Sequence, residues 1–364
     1  MYSEFGRNIK IGVSGGSHEE YVSAIAYGVP SGFKHDAEKL KAFMKRRQGG
    51  NLPFTTPRKE EDEPVFVSGL DENGVTNGEP LEVRIYNKNV RSGDYKGFTD
   101  TPRPSHADYT APLRFGKDID MRGGGHFSAR LTAPLCVIGG IFKQMLEKNG
   151  VYIGTHLASV GGVSDEPFSL TDVTKNDFEK VLESDFPTLD AVKAEQMKKE
   201  LEAVAKDADS LGGIVECAVI GVEAGYGDPL YFGVENVISS AMFGLGGVRG
   251  TEFGLGFAAT KMRGSEHNDP FTVKDGKVVT KTNNSGGVQG GITNGMPIVF
   301  RVAFKPTASI GMKQNTVSLS EMTDTEIAIK GRHDPCIAIR ALPCVEALTA
   351  IAISELVISK DGAI

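Results

Sequence analysis

The segment Met121-Arg-Gly-Gly-Gly-His-Phe-Ser-Ala-Arg130 constrains the fold and function of this chain more than any other. Three consecutive glycines carry no Cβ, so the backbone can adopt positive φ angles and its amides can approach a ligand closely. Ser128 is a good N-cap for the apolar helix that the sequence predicts from about Ser128 to Lys148. The first amides of that helix, with Arg122 and Arg130, would form an anion receptor. A plain glycine turn into a helix fits an isolated triplet equally well, so the rest of the chain must decide.

Hydrophobic patterns and turn residues predict helices and strands along the whole chain. Asp36 caps a predicted helix that ends at Gly49-Gly50, and Lys274-Asp-Gly-Lys277 indicates a hairpin turn. Further helices are predicted over about 191–209, 232–243 and 340–359, and strands over 9–13, 65–69, 81–86, 151–156, 214–222 and 298–304. The chain has no tandem repeat and no clear linker. We therefore expect one α+β domain over residues 1–364, with several glycine-rich loops that converge on one site.

The net charge of −7 argues against a general nucleic-acid or membrane-surface binder. Four cysteines form no C-x-x-C pair and no zinc-like spacing with histidine, so we expect free thiols in a reducing cytoplasm and no metal site. The N-terminus lacks the apolar core of a signal peptide. No apolar run is expected to reach the length that spans a bilayer.

Cations in loops and at helix ends stand out in this acidic chain. They are Arg46, Arg47, Arg103, Arg122, Arg130, Arg249, Lys305 and Arg332. Such a set fits a ligand with several negative groups, although Arg46 and Arg47 would also complement the dipole of their own helix. His18 and His106 are candidates for proton transfer, since imidazole titrates near neutrality, and Asp334 could orient or accept a proton. Each histidine could equally be a surface or packing residue.

Several motifs occur in the order found in one enzyme family. They are Gly15-Gly-Ser-His-Glu19, Arg46-Arg47, Thr55-Thr56-Pro-Arg58, Arg91-Ser-Gly-Asp-Tyr95, Arg103-Pro-Ser-His-Ala-Asp108, Arg122-Gly-Gly-Gly with Ser128-Ala-Arg130, Lys305-Pro-Thr-Ala-Ser309 and Gly331-Arg-His-Asp-Pro-Cys336. Through these motifs the chain resembles the chorismate synthase family over almost its full length. The resemblance implies a β-α-β sandwich, in which helices pack around antiparallel sheets, and a homotetramer.

The resemblance also implies a reaction and a cofactor. The family eliminates phosphate from 5-enolpyruvylshikimate 3-phosphate in an anti-1,4 sense to give chorismate, the last step of the shikimate pathway. It requires reduced FMN without net redox change, because the flavin lends an electron to the substrate and recovers it. Either NADPH bound by the enzyme or an outside reductant would supply the reduced flavin.

Position by position, the resemblance implies roles for individual residues. His18 would protonate the flavin or stabilise its charge, and His106 would face the departing phosphate. Asp334 would assist proton removal, with Ser17 and Ser128 in support. Substrate anions would be held by Arg46, Arg47, Arg103, Arg130 and Arg332. Flavin contacts would come from His126, Phe127, Ser128, Gly246, Gly247, Gly290, Lys305, Pro306, Thr307, Ala308, Ser309 and Arg332.

The chain departs from the family pattern at a few positions. They are Gly16, Glu19, Pro53, His126, Phe127, Leu131 and Arg249. Phe127 stands where the family has a serine, and it cannot donate the hydrogen bond of a hydroxyl. A lost hydrogen bond to a charged group costs about 1.5–3 kcal/mol, enough to weaken flavin binding without abolishing it. Two rival interpretations are a divergent paralogue that binds flavin or an anionic metabolite in another role, and a polyanion-binding structural protein.

Overall fold

A computed structural model of the chain describes residues 1–50, 61–88, 100–329 and 334–362. The helices are α1 Ala37–Arg47, α2 Thr110–Phe115, α3 Thr132–Lys148, α4 Lys175–Glu183, α5 Ala191–Lys206, α6 Val234–Phe243, α7 Gly264–His267 and α8 Ala338–Asp361. The strands of the first half are β1 Tyr2–Phe5, β2 Lys10–Gly15, β3 Tyr21–Tyr27, β4 Val65–Ser68, β5 Leu81–Tyr86, β6 Tyr152–Val160 and β7 Val163–Ser164. Those of the second half are β8 Gly213–Ile220, β9 Val248–Phe253, β10 Phe271–Lys274, β11 Lys277–Thr280, β12 Val288–Gln289, β13 Ile292–Thr293, β14 Ile298–Phe304, β15 Gln314–Ser318 and β16 Thr323–Ile327.

Two five-stranded antiparallel sheets form the outer layers. The first has the strand order β1-β2-β3-β5-β4, and the second has the order β7-β6-β8-β14-β9. On β5, Leu81, Val83 and Ile85 are buried while the residues between them are not, the two-residue period of a strand with one face on the core. The chain thus builds one sheet before residue 87 and the other after residue 151.

Helices α3 and α8 form the layer between the sheets. The helix α3 packs against β3 and β5, α8 packs against β6 and β8, and the two helices contact each other along their length. Gly139 on α3 makes this close approach possible, because a Cβ there would lie 2.5 Å from the Cβ of Ala347. The predicted β-α-β sandwich, with helices packed around antiparallel sheets, is confirmed.

Helix α8 corrects one sequence expectation. It is long and apolar enough to cross a membrane, with 83% of its most apolar window buried inside the fold. A helix that is hydrophobic on all sides is also what the centre of a layered protein requires. Here the second sheet and the helices α1, α3 and α6 pack against it, and its composition follows from that position.

The outer face of the second sheet carries a buried histidine between two carboxylates. Nδ1 of His156 lies 2.9 Å from Oδ2 of Asp165, and its Nε2 lies 2.9 Å from Oε2 of Glu216. The ring of Phe168 packs edge-on against the imidazole, with 4.5 Å between the ring centroids. This group ties β6, β8 and the segment after β7 together at a point closed to water.

Most predicted elements are confirmed with small shifts of their ends. β5 and β14 have the predicted bounds, and β10 and β11 form the hairpin around residues 274–277. The main difference concerns Ser128, which caps a short 3₁₀ helix, Ala129–Leu131, whereas α3 begins only at Thr132. Arg130 lies in this short helix and contacts Asp62 and Asn87, which belong to the site described below.

Candidate active site

The glycine turn lies between the two histidines that the sequence singled out. Gly123, Gly124 and Gly125 have φ angles of 59°, 91° and 53°. A Cβ on Gly123 would lie 2.4 Å from Cε1 of His18, and one on Gly124 would lie 3.5 Å from Nε2 of His106. Glycine is therefore required at Gly123 for space as well as for φ, and the turn places one imidazole on each side of its backbone.

Ser17 and His18 follow β2 and are buried against the same turn. The amide of Ser17 donates to the carbonyl of Gly125 at 3.2 Å, and its hydroxyl donates to the carbonyl of Arg122 at 2.9 Å. Oγ of Ser17 lies 3.0 Å from Nδ1 of His18. Since the hydroxyl proton goes to Arg122, this oxygen is left to accept the Nδ1 proton of His18.

His106 belongs to a compact polar unit with Arg103 and Asp108. Nδ1 of His106 lies 2.7 Å from Oδ1 of Asp108. Arg103 donates to the same carboxylate through Nε at 2.6 Å and Nη2 at 2.8 Å, and its Nη1 donates to Oγ of Ser309 at 3.0 Å. Burial alone would raise the pKa of Asp108, but the hydrogen bonds from Arg103 and His106 outweigh it and hold the pKa well below its usual range.

A second polar unit contains Arg47, Arg130 and a buried carboxylate, Asp62. Asp62 accepts from Nη1 of Arg47 at 2.5 Å and also from Nη1 of Arg130. The three side chains are 4%, 8% and 1% exposed in the order Arg47, Arg130, Asp62. Nε of Arg130 donates to Asn87 at 2.9 Å, and Asn87 in turn donates to the carbonyl of Gly16 at 3.1 Å. This chain of contacts links the arginines to the loop that carries His18.

Arg340 connects the second unit to Asp334. Its Nη1 lies 2.9 Å from Oδ2 of Asp334, and its Nε donates to the carbonyl of Arg47 at 3.1 Å. The hydroxyl of Thr307 donates to the carbonyl of Asp334 at 3.0 Å. Asp334 is therefore brought to the same region as Arg47 and the Lys305–Ser309 segment.

The segment Lys305–Ser309 follows β14 and lies between the polar units and a glycine pair. Nζ of Lys305 donates to the carbonyl of Ser105 at 2.9 Å, and its backbone amide donates to the carbonyl of Gly247 at 2.9 Å. Burial, with a smaller contribution from the charge of Arg249, lowers the pKa of Lys305. A cation that has lost part of its water and has a like charge nearby favours an anion as its neighbour.

Some predicted site residues have other neighbours. Arg46 forms two hydrogen bonds, of 2.6 and 2.9 Å, with the buried carboxylate of Glu346 on α8. Substrate binding by Arg46 stays a prediction, and this geometry favours a role in joining α1 to α8. Gly290 lies in the turn between β12 and β13 and lines a pocket with Asp269 and Phe271.

The centre of the glycine segment also differs from a simple anion receptor. Nδ1 of His126 lies 2.9 Å from the carbonyl of Gly15, and its Nε2 lies 2.9 Å from Oγ of Ser3. The imidazole thus fastens the turn to β1 and β2. Phe127 is 40% exposed, and its ring centroid is 6.3 Å from that of Phe115.

Arg122 makes hydrogen bonds of 2.6 and 2.9 Å with the neighbouring carboxylate of Asp120. Several residues named from the sequence lie outside the described residues. They are Pro53, Thr55, Thr56, Arg58, the segment 91–95, and Gly331, Arg332 and His333.

Sequence reasoning missed several residues of the site. Asp108 belongs to the motif Arg103–Asp108, and a carboxylate two positions after His106 could have indicated a partner for that imidazole. Asp62, Asn87 and Arg340 had no local signal, because each acquires its partners only from distant parts of the chain.

Comparisons with known proteins identify the family of the chain. The family model for chorismate synthase matches residues 9–358. The chain is 41% identical over 365 residues to a chorismate synthase of Lancefieldella parvula, covering 98% of this chain and 96% of the relative. It is 43% identical over 352 residues to one of Pyrococcus abyssi, covering 96% of each. A crystal structure of chorismate synthase aligns with a TM-score of 0.77 and 25% identity over 99% of this chain and 94% of that chain. Since sequence and fold agree over nearly the full length, the chain belongs to the chorismate synthase family.

Proposed function

We propose that the chain eliminates phosphate from 5-enolpyruvylshikimate 3-phosphate in the presence of reduced FMN, with the residues around the glycine turn as its active site. Family membership makes the chain a carbon–oxygen lyase of the shikimate pathway, which supplies aromatic amino acids. The observation that carries the residue assignment is the turn Gly123–Gly125, which lies between His18 and His106. Buried arginines on both sides match a substrate with one phosphate and two carboxylates.

The arginines of the two polar units bind the substrate anions, and the histidines and Asp334 transfer protons. Arg103, Arg47 and Arg130 supply fixed positive charge in a place that water reaches poorly, where charge interactions are strong. His106 faces the turn through Nε2, from which a proton can pass to the leaving phosphate. His18 faces the other side of the turn, where it holds or donates a proton, and Asp334 accepts the ring proton of the substrate. Ser17 and Ser128 orient this machinery.

The residues after β14 support FMN as the cofactor. Lys305 carries a partly desolvated cation, and the hydroxyls of Thr307 and Ser309 lie in the same segment. Gly246 has open space where a Cβ would stand, so a planar group can approach that backbone. Donors and space of this kind fit a flavin with its phosphate. When bound in reduced form, the flavin supplies electron density to the substrate as phosphate leaves.

The cellular setting and the assembly are part of the proposal. Four free, buried cysteines and an acidic net charge support a cytoplasmic enzyme. Large apolar side chains such as Leu230, Tyr231 and Phe257 are about 80% exposed, which supports burial against further copies in a homotetramer. One cluster of buried residues includes both sheets and the helices between them, which supports a single domain over residues 1–364.

An anaerobic assay tests the proposed activity. Purified protein is mixed with FMN reduced by dithionite and with 5-enolpyruvylshikimate 3-phosphate, and both chorismate and free phosphate are followed. We expect equal amounts of the two products and no net oxidation of the flavin. The variant His106→Ala should lose most turnover and still bind FMN. The control variant His35→Ala removes only a hydrogen bond to the carbonyl of Gly74 and should keep its turnover.

The assay also separates the proposal from its main alternative, a divergent paralogue that binds flavin or an anionic metabolite without this reaction. Phe127 motivates this comparison, because it does not present the hydroxyl that the family pattern has at its position. Bound FMN without any chorismate would establish the paralogue and refute the lyase. Repeating the assay with NADPH in place of dithionite shows whether the chain reduces its own flavin.

A further inference from the structure

We propose that Asp108 is a positioning residue for His106: its carboxylate keeps the proton of the neutral imidazole on Nδ1, so that Nε2 is the nitrogen that gains and loses a proton beside the glycine turn. This inference rests on the proposed role of His106. It adds a residue that no motif argument had given a function.

The contacts around Nδ1 of His106 admit one assignment of the proton. Nδ1 lies 2.7 Å from Oδ1 of Asp108 and 3.1 Å from Nη2 of Arg103. Arginine has only donors and an ionised carboxylate has only acceptors, so Nδ1 can satisfy one of these neighbours and not both. Nη2 of Arg103 already donates to Oδ1 of Asp108 at 2.8 Å. The shorter contact is then an Nδ1–H that donates to the carboxylate.

The carboxylate of Asp108 is held rigidly enough to impose this choice. The side chain is 2% exposed and accepts three hydrogen bonds from Arg103, through its backbone amide, Nε and Nη2, at 3.1, 2.6 and 2.8 Å. The backbone amide of His106 donates to the carbonyl of Arg103 at 3.3 Å, which closes the loop between the two residues. A fixed acceptor next to one ring nitrogen sets both the tautomer and the orientation of the ring.

The opposite nitrogen of His106 then faces the turn. Nε2 is the atom nearest to a Cβ built on Gly124, at 3.5 Å, and Cε1 follows at 3.7 Å. During elimination the carbon–oxygen bond breaks with its electron pair on the phosphate, and the phosphate takes the proton from Nε2. The imidazole is left neutral with its proton on Nδ1, still bonded to Asp108, and regains a proton at Nε2 from water.

The first test measures the tautomer without any variant of Asp108. The protein is labelled with ¹⁵N-histidine, the imidazole signals of the neutral rings are recorded, and His106→Gln identifies which signals belong to His106. We expect the proton on Nδ1. A proton on Nε2 would overturn the inference, and this result does not depend on whether the protein shows any lyase activity.

The second test compares kinetics in a double-mutant cycle. Asp108→Asn should lower kcat on the order of 10⁴-fold, as loss of an orienting carboxylate does in a histidine-based triad. KM and FMN affinity should change by less than about threefold, because the substitution mainly removes an interaction that stabilises the transition state. Asp108→Asn combined with His106→Ala should be no slower than His106→Ala alone. Additive losses would show that Asp108 acts elsewhere and overturn the proposal.

Asp100→Asn is the matched control, because Asp100 also accepts side-chain and backbone hydrogen bonds, from Ser318 and Ser320, outside the site. Its kcat should stay within about twofold of that of the original chain. If Asp108→Asn does not fold, Asp108→Glu provides the carboxylate from a longer side chain. The expected result is then a partial loss of kcat with the Nδ1 proton retained, and a proton on Nε2 in that variant with unchanged kcat would contradict the inference.

Discussion

Gly123 lies directly against His18: a Cβ built on Gly123 would be 2.4 Å from Cε1 of the imidazole and 2.5 Å from its Nδ1. Real Cβ atoms do not approach other heavy atoms so closely, so either the ring or the turn would have to move. The same Cβ would also be 2.5 Å from Oγ of Ser17, which holds Nδ1 of His18. The absence of a side chain at Gly123 is thus what allows the turn to pack directly against His18.

Gly123→Ala should therefore abolish most turnover by displacing His18, with kcat reduced at least on the order of 10²-fold. The matched control is Gly150→Ala, since Gly150 also has a left-handed conformation, with φ of 79°, but has open space where the Cβ would stand. The control carries only the backbone strain, about 1 kcal/mol of stability, and should keep its kcat. Equal kcat values in the two variants would contradict the contact argument.

Asp62 should be essential to stability because it neutralises Arg47 and Arg130 inside the protein. Asp62→Asn keeps the shape and suits the φ of 49° at this position, but it removes the charge. We expect a loss of about 3–5 kcal/mol in the free energy of unfolding, since two buried cations lose their partner. Urea denaturation measures it.

The partly exposed pair Arg84–Glu82 provides the comparison for Asp62. Its side chains are 31% and 23% exposed, so water screens the interaction. Glu82→Gln should cost less than about 1 kcal/mol. If Asp62→Asn costs no more than Glu82→Gln, the buried cluster is not held by this carboxylate.

His156 should make the stability of the fold depend on pH. Burial alone would lower the pKa of His156, but its hydrogen bonds to Asp165 and Glu216 outweigh it and raise the pKa. A raised pKa in the folded chain stabilises it fully below the unfolded value of about 6.5, and this stabilisation is lost as pH rises through the folded value. The free energy of unfolding should therefore decline as pH rises through that interval.

Urea denaturation at a series of pH values measures this decline. In His156→Gln the decline across this interval should be absent, while His35→Gln should retain it. Asp165 contributes at the acidic end: burial raises its pKa, but hydrogen bonds from His156 and two backbone amides outweigh this and lower it. Its stabilisation is present above about pH 4 and is lost only as pH falls through the lowered folded value.

The four cysteines should resist a thiol reagent in the folded protein. All are free and buried, and Sγ of Cys136 lies 3.6 Å from Sγ of Cys344 between α3 and α8. The hydrogen bond from Cys136, with the nearby charges of Arg47 and Arg340, lowers the pKa of Cys344. Access rather than thiolate content then limits its reaction.

Ellman's reagent measures how many of the thiols react in the folded and in the denatured protein. Less than about one thiol per chain should react under native conditions, and all four should react in denaturant. Fast reaction of one thiol in the folded protein that disappears in Cys344→Ser would show that α3 and α8 separate more easily than their packing indicates.

Local sequence determined the secondary structure because its causes are local. Asp36 accepts the amide of Lys39 at the start of α1, and the hairpin of β10 and β11 forms around Asp275-Gly276 as the turn residues predict. Alternating buried residues fixed β5. The glycine triplet was located as well, since three positive φ angles in succession suit no other residue. The family motifs added the identity of most residues that surround it.

Only the tertiary structure decided which carboxylate each arginine pairs with. Arg46 and Arg47 are neighbours in sequence, yet one pairs with Glu346 on α8 and the other with Asp62. Helix geometry turns consecutive side chains about 100° apart, so they face different surroundings, and which acids are there depends on how α1 packs. The physical reason is general: a propensity acts within a few residues, whereas the partner of a buried charge is chosen by folding from the whole chain.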